Sequence, residues 1–187
     1  TKTYTPIAAN LGLTIRPYRT IVIDIYGGYS LHKNDFTMIY DENALAYSYL
    51  LHDYQRGHIG ASAHYHFKDI VNVEARGNYY FWKNLSANLP VYDRPNWDAS
   101  LRVDVNLDQK WSLYSDNRLE GTRLAHTTTQ DVQLPMVIDL NIGAQYDINR
   151  WLNVYLQLGN YLHRKNPIYY GYYTQGCHFL AGVKYVF

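Results

Sequence analysis

Val71-Asn72-Val73-Glu74-Ala75-Arg76 alternates between aliphatic and polar side chains, and the pattern resumes with Tyr79 and Phe81 on one side and Asn78 on the other. Side chains two apart share a face only when the chain is extended, so this spacing predicts a half-buried strand and not a helix. The same period runs outward from it. Upstream, Ile59, Ala61, Ala63, Tyr65 and Phe67 alternate with His58, Gly60, Ser62, His64 and His66, and Ile21, Ile23 and Ile25 oppose Asp24, Tyr26 and Ser30. Downstream, Leu101, Val103, Val105 and Leu107 alternate with Arg102, Asp104 and Asn106, and Ile138, Leu140, Ile142 and Ala144 with Asp139, Asn141 and Gln145. Leu152, Val154, Leu156 and Leu158 follow, then Phe179, Ala181, Val183, Tyr185 and Phe187. About nine strands are expected, over 7–16, 20–32, 47–67, 70–83, 97–107, 110–124, 135–148, 151–163 and 175–187. Residues 35–41 either lengthen the second strand or add a tenth.

The connections alternate as well. Short ones are expected at Pro17-Tyr18, Lys68-Asp69, Asp108-Gln109 and Asn149-Arg150, each with the polar or proline chemistry of a tight turn. Long ones are expected near 33–46, 84–96, 125–134 and 164–174. Short turns at one end and long loops at the other mark an outer-membrane barrel.

Composition fits that class and excludes others. Tyrosine supplies 21 of 187 residues, beside 4 Trp and 5 Phe. Tyr and Trp favour boundaries with one wet and one apolar side, and a membrane interface is such a boundary. Net charge is +1 with no basic run, which leaves no electrostatic case for nucleic acid. Cys177 is the only cysteine, so neither an internal disulfide nor a cysteine-built zinc cluster is available. The sequence has no apolar run of the length a membrane helix needs. Mean hydropathy is −0.38, which an alternating barrel strand also gives. Thr1-Lys2-Thr3-Tyr4 lacks the basic-then-apolar order of a secretion signal; the expectation is that a leader was removed or that the chain begins partway through a longer one.

Alternation alone also suits a soluble sandwich or a lipocalin-like barrel. Two aromatic levels favour lipid. Tyr18, Phe67, Trp111, Tyr146, Trp151 and Tyr185 lie near the short turns, and Tyr80, Phe81, Trp82, Tyr161 and Tyr169 toward the long loops. The expected fold is therefore all-β, an antiparallel transmembrane β-barrel of about nine to ten strands over residues 1–187. Single-chain bacterial barrels have even strand numbers, so nine strands here make the chain part of a larger barrel.

The stretch Tyr169-Tyr170-Gly171-Tyr172-Tyr173-Thr174-Gln175-Gly176, followed by Phe179-Leu180-Ala181-Gly182-Val183-Lys184-Tyr185-Val186-Phe187, resembles the last hairpin of TonB-dependent receptors of Bacteroides type. Ile148-Asn149-Arg150-Trp151-Leu152 and Lys110-Trp111-Ser112-Leu113-Tyr114 look like periplasmic turns and strands of the same barrels. The resemblance implies the C-terminal barrel wall of a nutrient receptor in the outer membrane of a Gram-negative bacterium. It implies Tyr185 and Phe187 as a barrel-insertion signal. Its partners would be outer-membrane lipid, the barrel-assembly machinery, upstream strands and a plug domain. No plug is present in these 187 residues. The alternative is a small stand-alone structural or adhesive barrel, whose mark would be pairing of its first and last strands.

Asp24, His64, Glu74, Arg76, Arg102, Asp104 and Asp139 share the non-aliphatic phase of their strands and are the lumen-facing candidates. Tyr169, Tyr170, Tyr172 and Tyr173 are the candidates for a ligand-contacting loop, in competition with a place in an interfacial girdle. His58, His64 and His66 share a face, with His52 nearby, and could chelate a metal, but residues two apart on a strand are about 7 Å apart, long for a shared ion, so the favoured reading is polar lumen residues. Ser62 near His64 suggests a hydrolase, yet a lipid hydrolase needs its site at the lipid boundary, not on the polar face. The sequence thus assigns no catalyst, metal or cofactor, and leaves the transported ligand unnamed.

Overall fold

The computed structural model describes residues 2–86, 89–108 and 110–185. Nine long strands form the wall: β1 (Tyr4–Tyr18), β2 (Ile21–Asp41), β3 (Ala46–Phe67), β4 (Val71–Asn84), β5 (Trp97–Leu107), β6 (Trp111–Glu120), β9 (Val137–Asn149), β10 (Leu152–Gly159) and β13 (His178–Tyr185). Two short hairpins, β7 (Arg123–Thr127) with β8 (Asp131–Leu134) and β11 (Pro167–Tyr169) with β12 (Tyr172–Tyr173), occupy what the sequence read as loops. Each wall strand pairs antiparallel with its neighbour in the order β1-β2-β3-β4-β5-β6-β9-β10-β13. Among the described residues β1 and β13 do not pair with each other, so the sheet is an open wall with two edges.

Three sequence expectations change in detail. Residues 35–41 lengthen β2 and pair with 46–52 of β3, so there is no tenth wall strand there. The first short turn lies at Arg19-Thr20, not Pro17-Tyr18. Pro17 instead sits inside β1, at a register irregularity between Ile15 and Tyr18; a residue without an N–H is tolerated on an edge strand or at a bulge. The strand expected over 110–124 stops at Glu120, and the chain then turns into the β7–β8 hairpin.

Register separates two faces. One carries rungs such as Ile23–Ala63–Ala75–Leu101 and Val73–Val103. Its exposed apolar residues include Leu11, Leu13, Ile25, Ile59, Leu101, Leu113, Ile142, Leu156 and Val183. A water-soluble sheet would not leave such a face uncovered, whereas lipid is its natural solvent. Tyr65, Phe67, Trp111 and Tyr185 ring its short-turn side, and Tyr29, Tyr79 and Phe81 its loop side; Trp151 lies in the turn before β10. From Tyr65 to Gly57, opposite Phe81, is eight residues, about 27 Å along a strand and roughly 20 Å in height at the usual tilt, close to the apolar band of a barrel. Tyr80 and Trp82, expected in this girdle, lie on the other face, because four consecutive aromatics on a strand divide two and two.

Apart from Ser62, the buried side chains among the described residues lie beyond the wall's middle. Tyr92, Ala125, Leu134, Thr37, Thr127 and Asn166 are buried and cluster at the long-loop end, where β7 adds in parallel to the tip of β2. These segments make a packed cap on the wall.

Candidate functional site

The second face is polar, and register assembles it into rungs. Asp24, Ser62, Arg76, Ser100, Arg118 and Asp139 lie side by side across six strands. The next rung toward the short turns holds His64, Glu74, Arg102, Asp116 and Asn141, and the one after it Asn72, Asp104 and Tyr114. The seven charged candidates therefore occupy three adjacent rungs of one face. Arg102 donates to Asp104 through Nε and Nη2, both at 2.9 Å, and to Asp116 at 3.4 Å. Arg76 lies 3.7 Å from Glu74, and Arg118 pairs with Glu120. Most of the belt's charge is thus held in cross-strand or same-strand pairs.

Asp24 answers the hydrolase question. It accepts from Thr14 at 2.6 Å and from Ser62 at 3.3 Å, and lies 4.0 Å from His64 Nε2. The acid stands between the serine and the histidine. A catalytic relay needs the imidazole in that place. Among the described residues no three metal-ligating side chains come together.

Rings on the polar face lie flat against the wall. Tyr26 covers Gly60, Tyr114 covers Gly143, Tyr155 covers Gly182 and His178 covers Gly159. In every case ring and glycine are direct cross-strand partners. A Cβ on the glycine would collide with the ring, so glycine lets the ring fold down and the ring shields the bare backbone. Tyr26 is locked there by its hydroxyl, which donates to Asn78 Oδ1 at 2.7 Å.

The cap closes over the loop end of this face. Asp35 accepts from Tyr54 at 2.5 Å, from Arg94 at 3.2 Å and from the Phe36 N–H at 2.9 Å. Burial pushes the Asp35 carboxyl up, but these donors outweigh it and leave its pKa lowered. Burial holds His52 below its ordinary pKa. Asn160 and Asn166, both buried, rivet the segment after β10 to the wall. The candidate tyrosines are divided by the β11–β12 turn at Gly171, whose φ of 76° a side chain would strain. Tyr170 packs against Tyr40 at 5.4 Å and accepts from the Tyr47 hydroxyl through its carbonyl at 2.5 Å. Tyr169 is half-buried, while Tyr172 and Tyr173 are exposed. Tyr170 therefore helps dock the hairpin on the cap, while Tyr172 and Tyr173 are the more exposed of the four. Tyr185 lies on the aliphatic face opposite Leu152; Phe187 falls outside the described residues.

Asp93 is the cap's conspicuous acid. Its N–H donates to Leu124 O at 2.8 Å, its φ is 58°, and its buried Oδ2 has no partner. Burial raises its pKa to about 6 against the opposing pull of Arg123, the Met38 N–H and Arg94. Between about pH 4 and 6 the folded cap therefore holds a proton that the unfolded chain releases, and cap stability falls as pH rises through that window. Asp93→Asn keeps the acceptor and tolerates positive φ. It should slow hydrogen exchange at the 93 and 124 amides at pH 7 by about tenfold, the effect of about 1.4 kcal/mol, and leave exchange at pH 4 unchanged. Exchange that is not slowed at pH 7 would assign the titration to another group.

No family model and no curated protein matches this sequence. Solved structures do. The siderophore receptor PirA from Acinetobacter baumannii superposes with a TM-score of 0.76 at 11% identity, covering 96% of this chain and 31% of PirA. The chain has the fold of an outer-membrane receptor barrel. The pyoverdine outer membrane receptor FpvA from Pseudomonas aeruginosa PAO1 gives 0.70 at 12% identity, covering 96% of this chain and 30% of that one. The ferric-catecholate import receptor Fiu from Escherichia coli K12 gives 0.71 at 12% identity, covering 95% and 27%. The chain thus spans less than a third of the length of each receptor. It corresponds to a portion of their barrel wall.

Proposed function

We propose that this chain is the C-terminal barrel wall of an outer-membrane nutrient receptor of the TonB-dependent kind, with its polar face lining the lumen. The observation that carries the reading is the open nine-strand wall, aliphatic on one face and charged on the other, that overlays receptor barrels along nearly its whole length. In this reading the lumen belt of Asp24, His64, Glu74, Arg76, Arg102, Asp104 and Asp139 faces a plug and the passing substrate, and the cap forms part of the outer mouth. The other wall strands close the barrel through the free edges of β1 and β13, because no unpaired backbone is tolerated in lipid. The chain acts as a wall, and its work is selection and passage of a ligand, not covalent chemistry. A stand-alone barrel would need β1 on β13, and no pairing among the described residues favours it.

The test is thiol labelling of the full-length protein in outer membranes, with Cys177 first replaced by serine. Ser100→Cys and Ser112→Cys, on the polar face, should react with a water-soluble maleimide. Leu101→Cys and Leu113→Cys, one residue away on the apolar face, should react at least about tenfold more slowly, and readily with a lipid-soluble maleimide. Equal aqueous labelling of all four positions would make the sheet a water-soluble one and sink the proposal.

A further inference from the structure

Arg56 lies on the polar face of β3 in the rung Ser30–Arg56–Trp82, at the mouth end of the wall. The other polar-face guanidiniums described above have carboxylates: Arg76 has Glu74, Arg102 has Asp104 and Asp116, Arg118 has Glu120, and Arg94 has Asp35. Among the described residues no carboxylate lies within ion-pair distance of Arg56, and its buried Nε has no acceptor. A half-buried cation without a counter-ion is a costly arrangement.

Rings surround it. His58 and Tyr80 form the adjacent rung toward the membrane, their centroids 6.3 Å apart. Tyr80 stacks on Trp82 at 5.6 Å, and Trp82 meets Tyr54 edge-on at 5.6 Å. The hydroxyls and indole are already committed: Tyr80 donates to Asp98 at 2.6 Å, Tyr54 to Asp35, and Trp82 Nε1 to Pro95 O at 2.9 Å. Tyr54 is buried, but His58, Tyr80 and Trp82 are half-buried and still present ring surface, and Arg56 offers unpaired positive charge. His58 is half-buried, and one edge of its ring, Cε1, approaches Gly28.

We propose that Arg56, with the rings of His58, Tyr80 and Trp82, forms a subsite for an anionic group borne on a flat ring system. The guanidinium takes the anion in a charge-assisted, bidentate bond, and the rings stack on the planar part of the ligand. The proposal rests on the polar face being the lumen, and it adds the chemical class that this part of the lumen holds.

The test follows Trp82 fluorescence in the full-length protein in detergent, with Trp82→Phe as the blank. Three probes are titrated: 1-naphthoate (ring and charge), 1-naphthalenemethanol (ring alone) and acetate (charge alone). Naphthoate should bind at least about tenfold more tightly than either of the others. Arg56→Gln should weaken naphthoate about tenfold to a hundredfold, the span of a hydrogen bond to a charged group, and Arg56→Lys should fall between them. Naphthoate binding that is equalled by naphthalenemethanol or acetate, or is unmoved by both Arg56 variants, would overturn the subsite. So would the absence of binding in a correctly folded protein, as when a carboxylate from elsewhere in the longer chain already occupies Arg56. In the same protein reconstituted into lipid vesicles, Trp82 should be quenched by aqueous iodide and not by brominated lipid tails. Quenching by the lipid would defeat the lumen reading itself, whereas iodide quenching without probe binding defeats the subsite alone.

Discussion

Ala75→Arg should lower the stability of the folded wall by about 2–4 kcal/mol, the cost of a basic side chain near the middle of a barrel's lipid face. Ala75 sits between Ala63 and Leu101 on the aliphatic face, midway between the two aromatic levels. Its neighbours are alanine, leucine and valine, so an added guanidinium has no acceptor there. Snorkelling would carry it past several residues before it reached water. Ser100→Arg is the matched control. It lies on the polar face between Arg76 and Arg118, where added charge meets water and costs only local repulsion, within about 1 kcal/mol. Reversible denaturant unfolding in lipid vesicles measures both. Equal effects would mean that the two faces have the same solvent.

Asn166→Ala is expected to release the segment after β10 from the wall. Asn166 is 2% exposed. Its Nδ2 donates to Ile138 O at 2.9 Å, and its Oδ1 accepts from Ile138 N at 3.0 Å. One side-chain amide thus supplies both halves of the ladder that a neighbouring strand would give Ile138. Its own carbonyl accepts from Thr174 N at 2.8 Å and so holds the return of the β11–β12 hairpin. Alanine would leave two buried backbone groups unpaired, at about 1–3 kcal/mol each. The β11–β12 segment should lose exchange protection and become open to protease between 160 and 177, while the wall strands keep theirs. Asn166→Asp, which retains the acceptor and loses the donor, should show part of the effect. Protection unchanged in the alanine variant would show that Tyr170 on Tyr40 and Tyr47, Arg123 on the Pro167 carbonyl and Asn160 hold the hairpin without Asn166.

The period of two in 71–81 was legible in the sequence because it is local: a strand's faces follow from chain geometry alone. The seven charged candidates were placed on one face for the same reason, and structure puts them there on adjacent rungs. The two-girdle argument needed correction at Tyr80 and Trp82, which clustering in sequence had joined to Phe81 although their phase is opposite. Arg56 was not singled out. Its importance lies in what it lacks, and the absence of a carboxylate partner is visible only when neighbouring strands are in register. The cap was also invisible: its buried Asn166 and Tyr92 sit in stretches without periodicity, and Asn160 lies in what the alternation read as the end of a strand over 151–163, although β10 stops at Gly159.

By itself, the sequence determined the strands, their two faces, and the alternation of short turns with long connections, since each depends on residues close together along the chain. Only the tertiary structure decided register, and with it which ring lies on which glycine, which guanidinium goes without a carboxylate, and how four distant connections pack into one cap. Those contacts join residues far apart in sequence, and their free energy is gained only after long loops have closed, so no local pattern records them.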